Sequence, residues 1–146
     1  MALMRTLLFS VLMLALPAAF AAEKKPIRPA SFPTGGPFSP GIQAGQTLYV
    51  SGQVGRDASG KIPENFEDEV KAALDNIGAI LKEAGYGYAD AVAVQVYLTD
   101  MTLFDRMNKV YMTVFAEPRP ARTTVGVAKL VGTAHIEITV TAWKDR

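Results

Sequence analysis

Arg122 and Glu137 stand where an isolated charge is expensive. The arginine opens the run ARTTVGVAKL, and the glutamate lies inside IEITVTAW, fifteen positions further on. Val125, Val127 and Leu130 surround the first; Ile136, Ile138 and Val140 surround the second. A charge desolvated in such a setting needs a partner or a ligand. An arginine presents a planar fork of donors that fits a carboxylate at two points. One reading is a pocket for a small carboxylate with an acid or base beside it. The other is an internal Arg–Glu ion pair that joins two strands. On these residues alone both remain open.

The rest of the composition narrows the chemistry. The chain has 146 residues, no cysteine, one histidine and a net charge of +1. Disulfides, thiol nucleophiles and thiolate metal sites are excluded. His135 alone falls short of a histidine-based metal site and reads as a solvated side chain at a strand start. Near-neutral charge offers nucleic acid no basic stripe. The N-terminus, MALMRTLLFSVLMLALPAAFAAEKK, reads as a cleavable export signal. Arg5 supplies the positive start, Thr6 to Leu16 the apolar stretch, and Ala19-Phe20-Ala21 the small-x-small cleavage pattern. The apolar run is short for a membrane span of about 20 residues. Cleavage after Ala21 leaves roughly 125 residues, one domain in size, in a secreted or periplasmic protein.

These residues must be positioned by ordinary elements. Residues 22–40 are rich in proline and glycine and read as an irregular lead-in. Ile42 to Ala44 and Thr47 to Gln53 read as strands joined by a tight turn at Gly45-Gln46. Asn65 to Ala84 is a helix, capped by Asn65 and stopped by Gly85. Glu67, Asp68 and Glu69 complement its positive end. Val70, Ala73, Leu74, Ile77, Leu81 and Ala84 form its apolar face, and Gly78 permits close packing. Ala91 to Thr99 is a strand, with Val92, Val94, Val96 and Leu98 on one face and Gln95, Tyr97 and Thr99 on the other. Thr102 caps a second helix to Phe115, whose apolar face holds Phe104, Met107, Tyr111, Val114 and Phe115. Two last strands cover Thr123 to Lys129 and His135 to Ala142. The order β-β-α-β-α-β-β predicts an α+β fold, a mixed sheet with both helices on one face. No element remains to cover the other face, which predicts an oligomer.

Read in order, short pieces of this chain resemble the RidA/YjgF family of reactive-intermediate (imine and enamine) deaminases. The pieces are Tyr49-Val50-Ser51-Gly52-Gln53, Ala73-Leu74-Asp75-Asn76-Ile77, Leu81-Lys82-Glu83-Ala84-Gly85, Val96-Tyr97-Leu98-Thr99-Asp100, Asn108 with Tyr111 and Phe115, Pro120-Ala121-Arg122, Val127-Ala128-Lys129-Leu130 and Ile136-Glu137-Ile138. The resemblance covers about Pro40 to Trp143, within a domain taken as 41–146. It implies a chorismate-mutase-like subunit and a homotrimer, with sheets forming a central barrel and sites between subunits. It also implies hydrolysis of 2-imino acids or their enamines (2-aminoacrylate, 2-iminopropanoate, 2-iminobutanoate) to 2-keto acids and ammonia. By that resemblance Arg122 grips the substrate carboxylate and Glu137 orients or activates water. Ser51 and Gly52 border the pocket, and Asn108 stands near it. No metal or organic cofactor is implied. The arginine's charge favours an ionised carboxylate nearby, so Glu137 needs help to take a proton.

The chain departs from the family pattern at Gly41, taken to stand where many members carry a tyrosine over the pocket; Phe38 is the candidate to fill that space. Gly126 replaces a common glutamate, and the loop before Pro120 is shorter. Export also separates the chain from cytoplasmic sources of imine. An alternative function is therefore a non-catalytic trimer that binds small carboxylates or keto acids. A nuclease reading finds no support in a single histidine and near-neutral charge.

Overall fold

A computed structural model describes residues 23–145. The proposed signal segment lies outside the described residues. Six strands form one sheet: β1 Lys24–Ile27, β2 Gly41–Ala44, β3 Thr47–Val54, β4 Ala91–Leu98, β5 Ala121–Gly126 and β6 Ile136–Trp143. Two helices, α1 Phe66–Glu83 and α2 Phe104–Val114, complete it. The sheet order is β1-β2-β3-β6-β4-β5. Only β4 and β5 run parallel; every other neighbouring pair is antiparallel. The expected mixed sheet with two helices is therefore present.

Helix α1 forms for the reasons its sequence gives. Asn65 accepts from the Asp68 amide at 3.0 Å, and Gly85 follows the helix at φ +79°, where a side chain would be strained. Val70, Ala73, Leu74, Ile77, Ile80 and Leu81 are buried. They meet Leu48, Val50, Val94, Val96, Leu98, Ile136, Ile138 and Val140, the alternate positions of β3, β4 and β6. Gly78 does permit a close approach: a Cβ there would lie 2.6 Å from the Tyr88 hydroxyl oxygen.

Several expectations need correction. The lead-in is not wholly irregular, because Lys24–Ile27 pairs with β2. Its proline hid the strand. Pro26 is tolerated because β1 is an edge strand, where a missing N–H need not break a ladder. Val92 does not point into the core but is 47 % exposed. A register irregularity between Ala91 and Ala93 shifts the alternation, so Ala91 is buried in its stead. Asp100, not Thr102, caps the turn leading into α2; its side chain accepts from the Thr102 amide at 2.8 Å. Strand β5 starts two residues earlier than the pattern suggested and stops at Gly126, where its partner β4 ends. Strand β6 runs on to Trp143.

The sheet face away from the helices carries Tyr49, Gln95, Tyr97, Val125, Thr139, Thr141 and Trp143. Of these, Tyr49, Val125 and Trp143 are exposed and the others half-buried.

Candidate functional site

Within one subunit the candidate residues fall into two clusters on opposite faces of the sheet. The first is built on β5 and α2. Arg122 lies opposite Val94 in the parallel ladder and so shares the helix side with that buried valine. Its guanidinium carbon sits 4.6 Å from the centre of the Tyr111 ring and 5.6 Å from that of Phe104. Both distances are within cation–π range. Phe104, Asn108 and Tyr111 share a face of α2 by helical spacing, which places Asn108 on the aromatic side beside the arginine. Burial pushes the Tyr111 phenol up, and the neighbouring charges of Arg122 and Arg119 pull it partly back.

The second cluster is built on β3 and β6. Glu137 lies opposite Tyr97, three positions from Val94 and therefore on the other face. Strand β3 is irregular between Val50 and Gln53 where it pairs with β6, and Gly52 falls in that irregularity. The Glu137 carboxylate occupies the space a side chain at 52 would need. A Cβ there would lie 2.8 Å from Glu137 Cδ and closer still to Oε1. Ser51 anchors the lead-in: its hydroxyl donates to the Ser39 carbonyl at 2.7 Å, and its amide donates to Pro40 at 2.9 Å. Gly52 also lines a groove of about 860 Å³ with Phe38, Pro40, Gln53 and Arg56.

This arrangement disposes of the internal ion pair. Among the described residues no carboxylate pairs with Arg122, and no cation pairs with Glu137. Strand β4 runs between them. From ladder spacing their Cα atoms are roughly 14 Å apart.

Gly41 is not a pocket position. A Cβ there would meet the core, 2.8 Å from Ile80 Cγ2 and 3.3 Å from Ile27 Cβ. Phe38, 60 % exposed, lines the groove with Gly52, whereas Gly41 does not.

The sequence reading missed one further constellation. Glu69, assigned to the helix end, is fully buried. It accepts from the amides of His135 at 2.7 Å and Ile136 at 3.3 Å, and its other oxygen lies 2.8 Å from His135 Nδ1. His135 is solvent-exposed, as expected, but not alone. The available signal was position: Glu69 adjoins Val70 on the helix's apolar side. Gly55 accommodates the same turn, since a Cβ there would lie 2.6 Å from Glu69 Cγ.

Comparison with known proteins agrees with this fold. The profile of the family described as endoribonuclease L-PSP matches residues 29–144. A RutC family protein of Pyrococcus horikoshii is 42% identical over 112 residues, 75% of this chain and 89% of that protein. A mouse protein named 2-iminobutanoate/2-iminopropanoate deaminase is 42% identical over 105 residues, 70% of this chain and 78% of its own. Among solved structures, RidA from an Antarctic Psychrobacter superimposes with a TM-score of 0.78 at 33% identity, covering 82% of this chain and 99% of that one. Escherichia coli TdcF with bound serine gives 0.77 at 31% identity, with 83% and 99% covered.

Proposed function

Because the chain belongs to the RidA/YjgF family, whose profile carries the endoribonuclease L-PSP description, we propose that it hydrolyses 2-imino acids and their enamine tautomers to 2-keto acids and ammonia. The observation that carries this reading is Arg122: a half-buried guanidinium lying over two aromatic rings, paired with no carboxylate among the described residues. Such a fork suits a planar substrate carboxylate. RNA suits the site poorly, since a net charge of +1 supplies no phosphate-binding stripe.

In the proposed reaction Arg122 grips the carboxylate and fixes the C=N carbon. Glu137 takes a proton from water as its oxygen attacks that carbon. Glu137 returns that proton to the nitrogen, giving the neutral carbinolamine; it then relays the carbinolamine's hydroxyl proton to the same nitrogen as the C–N bond breaks, so that the ketone forms and ammonia leaves. Ser51 and Gly52 shape the wall beside Glu137, and Asn108 borders the arginine side. Arg122 and Glu137 are too far apart, and on the wrong faces, to hold one small substrate within a subunit. The site is therefore assigned to a cleft between subunits, the arginine from one and the glutamate from its neighbour. In the proposed homotrimer the open sheet faces pack together, covering Tyr49, Val125 and Trp143 on Glu137's side, and Arg122 approaches the neighbour's Glu137 from the edge strand β5. The N-terminal segment is read as an export signal, so the trimer acts outside the cytoplasm.

The test follows keto-acid release while an amino-acid oxidase generates 2-iminopropanoate. Acceleration that vanishes in Arg122→Ala, with the trimer intact by light scattering, is expected. Conversion no faster than the uncatalysed reaction would overturn the deaminase and leave a carboxylate-binding protein. A stable monomer at micromolar concentration would remove the shared site.

A further inference from the structure

The guanidinium of Arg122 lies over rings that belong to a longer stack. Tyr111 tilts against Phe115, with centroids 4.4 Å apart, and Phe115 meets Tyr88 edge-on at 5.4 Å. Tyr88 ends at α1: its hydroxyl donates to the Leu74 carbonyl and fills the gap left by Gly78. Phe115 is 1 % and Tyr111 2 % exposed. The arginine itself sits on β5, an edge strand with a single ladder neighbour. An edge strand holds a long side chain weakly, because packing comes from one flank only. The charged end of Arg122 is thus located by α2 rather than by its own strand.

We propose that Tyr111 is a positioning residue for Arg122. Its ring acts as a platform that presents the guanidinium fork in one orientation. Phe104 closes the arginine's flank. The inference rests on the carboxylate-gripping reading of Arg122 and goes beyond it. The ring carries the larger part, because its face lies 4.6 Å from the guanidinium carbon; the hydroxyl is also within reach of Arg122, and Tyr111→Phe measures its share. Rigid support of this kind reduces the ordering cost on binding. Its loss should appear mainly in KM, since the carboxylate is gripped equally in substrate and transition state.

Three variants separate positioning from mere packing. Tyr111→Phe keeps the ring and should leave KM within about twofold. Tyr111→Leu removes it and should raise KM between about three- and thirtyfold, the range a cation–π contact supports, with kcat little changed. Phe115→Leu loosens the same core without touching Arg122. It should lower the melting temperature at least as much as Tyr111→Leu while KM stays near wild type. Side-chain NMR of the Arg122 Nε–H provides a readout independent of turnover. The resonance should carry a ring-current shift in wild type and Tyr111→Phe that collapses in Tyr111→Leu. If Phe115→Leu raises KM as much as Tyr111→Leu, the effect is packing and the proposal is overturned. An unchanged KM or an unchanged resonance in Tyr111→Leu overturns it as well. If no protein turns over imine, the deaminase reading fails on its own. The platform is then judged by the affinity for 2-oxobutanoate in Tyr111→Leu against wild type, with equal affinities refuting it.

Discussion

Gly52→Ala and Gly55→Ala add the same methyl group within three residues of one another and should have opposite effects. At position 52 the added carbon would lie 2.8 Å from Glu137 Cδ and 3.1 Å from Cγ, with Oε1 nearer still. All of these atoms belong to a side chain that can rotate. Ordinary carbon–carbon contact needs about 3.5 Å, so the carboxylate must retreat by roughly 1 Å. An off-rotamer glutamate costs at most about 1.5 kcal/mol, and the fold should survive. Activity should not, because a catalytic group misplaced by about 1 Å loses about a hundredfold in rate. At position 55 the obstruction includes the Glu69 backbone: its carbonyl carbon would be 2.7 Å away and its oxygen closer. A helix backbone cannot step aside, so overpacking of about 3 kcal/mol is expected. The measurement pairs thermal melts with keto-acid release for both variants. Gly52→Ala should melt near wild type and be nearly inactive, whereas Gly55→Ala should melt far lower. Full activity in Gly52→Ala would refute the role given to Glu137. A collapse of its melting temperature would refute the claim that only a side chain is displaced.

Three further outcomes follow from single contacts. Glu69→Ala strips the acceptor from two strand amides and His135, and should cost about 3 kcal/mol in urea unfolding; Glu69→Gln, which keeps one acceptor oxygen, should cost less. Burial pushes the Tyr88 phenol up to about 12 from its ordinary 10.0. A raised folded value means that its stabilisation is complete below pH 10 and is lost as pH climbs through about 12; melts across that window should fall less steeply for Tyr88→Phe, and parallel curves would exclude this tyrosine. Intact mass of the protein recovered after expression should correspond to a chain beginning at Ala22, and an exported species that retains Met1 would refute cleavage.

Most of the fold was legible because period and punctuation agreed. Asn65, the apolar spacing from Val70 to Leu81, and Gly85 each specified α1 independently. Strand β1 was illegible because four residues containing a proline carry no alternation, and its only support is pairing with β2. Val92 failed for a related reason: a register irregularity is a property of two strands, and one strand's sequence does not announce it. At the site, Arg122 and Glu137 were conspicuous as charges among apolar neighbours. Their placement on opposite faces was not, because it depends on β4 lying between them in the sheet order. Gly52 and Glu137 are 85 positions apart in sequence, and only the β3–β6 pairing brings them together. Glu69 was misread because acidic residues in a first turn usually face water, and only its buried partners on β6 distinguish it.

On the proposed reading, the separation of Arg122 from Glu137 is itself what makes a binding site of them. Had the two met within one subunit, each would have satisfied the other. A substrate carboxylate would then have to displace a partner already in place. A buried arginine–glutamate pair recovers most of its desolvation cost internally and leaves little attraction for a third charge. The sheet prevents this by acting as a partition: odd and even positions of adjacent strands send the two charges to different faces. Arg122 is instead steadied by aromatic rings, which attract a cation without neutralising its charge. Glu137 is steadied against Gly52, whose bare backbone offers no opposing charge. Among the described residues, each of the two charges thus lacks a neutralising ion-pair partner. In the proposed trimer, a planar anion would meet the donor fork on one side and the carboxylate on the other only where two subunits join. On this argument, mixing Arg122→Ala with Glu137→Gln subunits should restore activity in mixed trimers, because some clefts regain both groups. A mixture no more active than either parent, with subunit exchange confirmed by mass, would place both residues in one subunit's site and contradict the partition.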